Sequence, residues 1–122
     1  MNATVTLPPT NKYPYTRNWD LLNLWKTTKD FEVKEISVNQ LWDERYSKIF
    51  CWLEPEEQVT NLFFLHHMKR VLKANLDYPI ILSEENYILD GVHRLLKAKH
   101  LGISTIKYVK FEKDPTGQNN NH

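Results

Sequence analysis

Apolar and polar positions change their period several times along the 122 residues. Residues 1–17 carry Pro8, Pro9 and Pro14 and no periodicity, which predicts an extended arm, with Tyr13 and Tyr15 able to pack back on the domain. In "NWDLLNLWK", Leu21, Leu22 and Trp25 recur at helical spacing, and Asn18 is the predicted cap. "FEVKEISV" predicts a strand through Val33, Ile36 and Val38, and Asn39 is placed to cap a helical turn reaching Trp42. Residues 43–55, charged around the strand-like "KIFCWL", predict a loop with one short apolar segment.

Clearer signals follow. Pro55 and the acids after it predict a helix start, because proline lacks the amide hydrogen orphaned there and acids suit the positive end of the dipole. That helix runs from Glu56 to about Asn75. Val59, Leu62, Phe63 and His66 share one face, whereas Phe64, Met68, Val71 and Leu72 form another, so the helix is expected to be buried on more than one side or kinked. His66, among apolar neighbours, is assigned to the core or to a pocket wall.

"YPIILS" is led by Pro79 and carries consecutive branched residues, as suits a strand buried on both faces. "EEN" then reads as a turn and "YIL" as a return strand. "VHRLLKAKHL" is helical, with Val92, Leu95, Leu96 and Ala98 facing inward and Gly102 as a left-handed stop. "TIKYVKF" is a last strand, with Lys107 and Lys110 facing water, and "DPTGQNNNH" has the composition of disorder. The expected fold is a small single-domain mixed α/β (α+β) structure, one mixed sheet with flanking helices. Residues 1–30 form an arm and short helix, 31–112 the domain, and 113–122 a disordered tail.

A formal charge of +1 disfavours binding nucleic acid by charge alone. The distribution is uneven: His66 to Lys113 holds nine Lys or Arg against five Asp or Glu, and the residues before His66 hold seven against nine. A negatively charged ligand is therefore expected in the second half. Cys51 is the only cysteine, so no intrachain disulfide forms. With neither a secretory leader pattern nor an apolar run of membrane-spanning length, the expectation is a soluble, cytoplasmic protein without a membrane partner.

Within "YILDGVHRLL", Asp90, Gly91, His93 and Arg94 stand between an apolar run and a helix. A helix starting at about Gly91 points unpaired amides and its positive dipole end forward, as an anion site requires. Gly91 would let a phosphate approach the backbone, Arg94 offers a planar two-pronged donor, and His93 can donate a hydrogen bond or a proton near neutral pH. Asp90 is suited to hold Mg²⁺, to orient His93 or Arg94, or to take a proton from a hydroxyl. A capping Asp and a turn Gly account for the same string without any ligand, although His93 and Arg94 oppose the dipole of a first turn.

The segment "PIILSEENYILDGVHRLLKAKHLGISTIKYVKF" resembles the core of the ParB/sulfiredoxin superfamily, and "VKEISVNQL" resembles its opening strand. The likeness covers about residues 31–112. It implies a nucleotide- or phosphate-binding turn at Asp-Gly-x-His-Arg, a ligand such as ATP, ADP or CTP with Mg²⁺, and kinase- or NTPase-like phosphoryl transfer. Sulfiredoxins place a Cys directly before His-Arg, where this chain has Val92, so that activity is not expected. Partition proteins carry a DNA-reading domain after this core, whereas only a short tail follows Phe111 here, so chromosome partition is not expected. The free-serine kinase branch, Asp-Gly-His-His-Arg, is closest; through it Asp90 and His93 stand at the reacting groups and Arg94 on the phosphates. Glu54 is the candidate for that branch's further glutamate, with Glu56 and Glu57 behind it, and Lys69 and Arg70 border the nucleotide. The alternative expectation is a DNA-binding or regulatory module that keeps the fold without catalysis, acting with DNA or a protein partner.

Overall fold

A computed structural model describes residues 3–47 and 60–116, together with the backbone of 118–119. Cys51, Trp52, Glu54, Glu56 and Glu57 lie outside the described residues. In chain order the elements are β1 (Thr4–Leu7), β2 (Arg17–Asp20), α1 (Leu21–Thr28), β3 (Lys34–Ser37), α2 (Val38–Leu41), α3 (Asn61–Lys73), β4 (Ile80–Leu82), β5 (Ile88–Asp90), α4 (Val92–Leu101), β6 (Thr105–Lys110) and β7 (Gln118–Asn119). One wide helical turn, Trp42–Tyr46, follows α2 and closes with Ser47 N–H on Trp42 O.

The mixed α+β class expected from the sequence is what the structure has. Its main sheet is four-stranded in the order β3-β6-β4-β5, with β4 and β6 parallel and the other pairs antiparallel. Ile80, Ile81 and Leu82 are all buried, as their unbroken apolar run predicts. Ile80, Leu82, Ile88 and Ile106 face one side, where Val38, Leu41, Leu95 and Ala98 from α2 and α4 cover them. Ile81, Leu89, Val109 and Phe111 face the other.

That second side is covered by residues read from sequence as an arm. β1 and β2 pair antiparallel, β7 adds a third strand, and Leu7, Trp19 and Leu24 bury themselves against the main sheet. There are thus two sheets where one was expected. The proline-rich stretch 8–14 connects two strands, and strands this short carry too little alternation to be seen in sequence.

Four local expectations are corrected. Asn18 lies inside β2, and α1 starts after Asp20, burying Leu24 and Thr28 and leaving Leu22 and Trp25 exposed. Ser37 caps α2 in place of Asn39, its hydroxyl accepting from Gln40 N–H at 3.1 Å, and Val38 belongs to that helix. α3 begins at Asn61 behind an extended Thr60, whose hydroxyl accepts from Phe63 N–H at 3.1 Å, so it does not run through from Glu56; the start expected at Pro55 lies outside the described residues. None of α3's residues is buried: His66 is exposed and His67 is the half-buried histidine.

The polar tail also departs from its composition. Asp114 is buried and accepts from Arg17 Nη1 at 2.9 Å. The Arg17 guanidinium lies 3.8 Å from the Tyr13 ring centroid and 4.9 Å from that of Trp19. Trp19 Nε1–H donates to Pro115 O at 3.1 Å. Asp114 Oδ1 accepts from Glu84 N–H at 2.7 Å, and its own N–H donates to Glu84 Oε1 at 3.0 Å. Tyr13 and Lys12 complete the Glu84 carboxylate's partners. One charge network therefore ties the arm, the tail and the β4–β5 turn together.

Removing one member of a buried ion pair strands the other's charge. Asp114→Ala is expected to destabilise the protein by about 3 kcal/mol in urea unfolding, in line with the cost of breaking a buried pair. Hydrogen bonds from Lys12 and then Tyr13 hold the Glu84 carboxyl at a pKa of about 2, below its ordinary 4.5. Its stabilisation is complete above the ordinary value and is lost as pH falls from there toward 2. Glu84→Gln should flatten the unfolding free energy across that acid window and leave its slope near neutrality unchanged.

Candidate functional site

Asp90 ends β5, and the chain turns at once into α4 through Gly91, which has a φ of +112°. Only glycine reaches that conformation without strain. Packing imposes the same choice: a Cβ at Gly91 would lie 2.5 Å from Ile80 Cγ2 and 3.1 Å from Arg94 Nη1. The missing side chain makes room for β4 and Arg94, a different reason from the phosphate approach expected of it. The peptide oxygen of Gly91 accepts from Arg94 N–H and Leu95 N–H, and α4 continues to a left-handed stop at Gly102 as expected.

Arg94 is anchored. Its Nη1 donates to Pro79 O at 3.1 Å and stands 3.7 Å from Asp90 Oδ2. Asp90 Oδ2 in turn accepts from Trp25 Nε1–H at 2.9 Å. A residue of α1 therefore reaches the turn, a contact that local sequence could not reveal because its partner lies 65 positions away.

α3 supplies the other wall. Lys97 of α4 donates to the peptide oxygens of Leu72 and Ala74 at 2.9 and 2.7 Å, satisfying the carbonyl end of α3 with a cation. One turn along, His67 Nδ1 lies 3.3 Å from His93 Nε2, and the rings stack at 14°. Phe63 packs on His67 with centroids 4.6 Å apart. Phe63, His67, Arg70 and Ala74 share the α3 face toward α4, and that spacing is the sequence signal that picks out His67 over His66.

So docked, α3 brings its basic last turns to the head of α4. Lys69, Arg70 and Lys73 join Asp90, Gly91, His93 and Arg94 around an open cleft of about 420 Å³. The cleft thus collects four Lys or Arg side chains and one carboxylate, Asp90. Every site residue expected from sequence and lying within the described part meets here; Glu54 does not lie within it. Among the described residues no group of three or more His, Cys, Asp or Glu could hold a metal ion. No helix among them is long and apolar enough to cross a membrane.

Burial, then the neighbouring His67 and Arg70, push the His93 imidazole below its ordinary pKa of 6.5, against a smaller opposing effect of Asp90. These effects favour the neutral imidazole, in which one nitrogen accepts and the other donates. Replacing His67 with Gln removes one cause and leaves burial in place. The His93 ring protons, followed by NMR, should titrate below the ordinary value in the wild type and closer to it in His67→Gln.

Comparison with protein families, with curated proteins and with solved structures finds no match for this chain.

Proposed function

We propose that this protein binds a nucleotide, with the phosphates in the cleft between α3 and the head of α4. The observation that carries the reading is the convergence of Lys69, Arg70 and Lys73 on the Asp90–Arg94 turn. Three exposed cations from one helix face the start of another, where amide hydrogens and the dipole also favour an anion. The resemblance of Asp-Gly-Val-His-Arg to the turn of the ParB/sulfiredoxin superfamily supports the same ligand.

ATP, ADP and CTP are the candidate nucleotides. Mg²⁺ would be shared between Asp90 and the phosphates, since Mg²⁺ commonly takes one or two carboxylates together with phosphate oxygens. A phosphoryl-transfer activity would use Asp90 as base toward a hydroxyl and His93 and Arg94 at the phosphates. The cytoplasm, which supplies both nucleotide and Mg²⁺, is the compartment that suits this role.

Calorimetric titration with ATP, ADP and CTP, each with and without Mg²⁺, tests the reading. Arg94 is the wrong first variant, because it also holds Pro79 O and its loss would disturb the turn. Arg70, exposed on α3, is the better one. A hydrogen bond to a charged group contributes about 1.5–3 kcal/mol, so Arg70→Ala should weaken binding by about tenfold or more. Lys107→Ala, on the exposed face of β6, should leave affinity unchanged. Wild-type protein that binds none of the three nucleotides would overturn the reading, and salt-dependent DNA binding in its place would favour the regulatory module.

A further inference from the structure

A second cavity, of about 410 Å³, opens on the other side of the Asp90–Arg94 pair. Ile81, Val109 and Phe31 line it from the sheet side, and Trp25, Val33 and Tyr78 stand around it. Those last three are large apolar residues left 49%, 51% and 61% exposed. Apolar side chains gathered around one opening mark a binding site more often than scattered ones do. The volume falls within the range of small-molecule pockets, about 300–1,000 Å³, and apolar walls with a few polar groups are their usual lining.

Thr28, Lys29, Asp90 and Arg94 are the non-aromatic polar side chains of its lining. Thr28 Oγ1–H already donates to Leu24 O at 2.9 Å and Lys29 is exposed to solvent, so the Asp90–Arg94 pair narrows the ligand. Asp90 Oδ2 and Arg94 Nη1 are 3.7 Å apart, beyond hydrogen-bonding distance, so an acceptor and a donor line the cavity side by side without closing on each other. Trp25 takes Oδ2, and among the described residues no hydrogen bond reaches Oδ1. A group meeting both residues must donate to the carboxylate and accept from the guanidinium. A hydroxyl does this with one atom; an ammonium only donates, and a carbonyl only accepts. The aromatic walls favour a flat ring as the body carrying that hydroxyl.

We propose that this cavity binds a small, flat, largely apolar molecule bearing a hydroxyl, a phenol or aromatic alcohol, whose hydroxyl bridges Asp90 and Arg94. Trp25 forms the movable wall, its indole N–H giving way to or sharing the carboxylate with the ligand. The site lies outside the cationic cleft and does not depend on a nucleotide there. Because Asp90 and Arg94 line both cavities, ligands in the two would meet at this pair.

The test compares p-cresol with 4-methylanisole, which keeps the ring and lacks the hydroxyl hydrogen. Each is titrated into the ¹⁵N-labelled full chain while the Trp25 indole N–H signal is followed, that signal being assigned by its loss in Trp25→Phe. The expected result is a saturable Trp25 shift with p-cresol and binding of 4-methylanisole weaker by about tenfold, the scale of a hydrogen bond to a charged group. Asp90→Asn should weaken p-cresol by about fivefold, a charged acceptor having become neutral, and leave the ether unchanged. Equal affinity for phenol and ether would overturn the proposal, as would a Trp25 signal that p-cresol does not move. If Asp90→Asn loses the wild-type backbone spectrum, the wild-type comparison alone decides. Failure of the nucleotide titration would leave this comparison untouched.

Discussion

Burial of β4 on both faces is the constraint on which the rest of the structure depends. Ile80, Ile81 and Leu82 present three branched side chains in succession, and alternation along a strand sends them to opposite sides. A sheet carrying such a strand needs a cover on each side. α2 and α4 supply one. Leu7, Trp19 and Leu24 supply the other, which makes the first thirty residues a layer of the fold. The Arg17–Asp114 pair holds that layer to the tail, and the bonds between Asp114 and Glu84 carry the hold into the β4–β5 turn. Its cost is visible in Arg17, whose Nε and Nη2 are buried with no hydrogen-bond partner among the described residues. The Tyr13 and Trp19 rings on the guanidinium offset part of that cost.

The Gly91 turn stands where these layers meet. It has to pass over Ile80 to enter α4, and this sets both the positive φ and the absence of a side chain. Arg94 then fits over the gap, tied to Pro79 O, with Asp90 beside it. Much of what reads in sequence as an anion-binding string is thus required by packing alone. The features that packing does not require lie around the turn. They are the three α3 cations on one side and the exposed aromatic residues on the other.

Legibility from sequence followed the length and regularity of each element. β4, β5, α4 and β6 are close to their expected bounds because a buried apolar run, a 3.6-residue period and a glycine stop are local signals. The first sheet was not legible: its strands are four, four and two residues long, and β7 meets β2 only from the far end of the chain. Asp114 sits in a polar tail by composition, and its burial depends on partners far off in sequence, Arg17 97 positions earlier and Glu84 30 positions earlier. Asp90, Gly91, His93 and Arg94 are read as a group because they fall within five residues. Lys69 and Arg70 come from the resemblance, and His67 is marked by its spacing with Phe63, Arg70 and Ala74, whereas Trp25 comes into view only through the packing of α1.

The contribution of Trp25 changes what kind of site this is. A turn between β5 and α4, walled only by α3, would offer an open cationic cleft to any anion small enough to enter. With α1 laid across the opposite face, the same Asp90 carboxylate gains an apolar neighbourhood and an indole donor. Asp90 and Arg94 then separate two cavities of similar size and different character, one walled by the α3 cations and one mostly by apolar side chains, three of them aromatic. Such a divide imposes polarity on whatever binds, because an anion is favoured on one side and a flat apolar body on the other. The N-terminal layer that completes the fold therefore also gives the turn its second face.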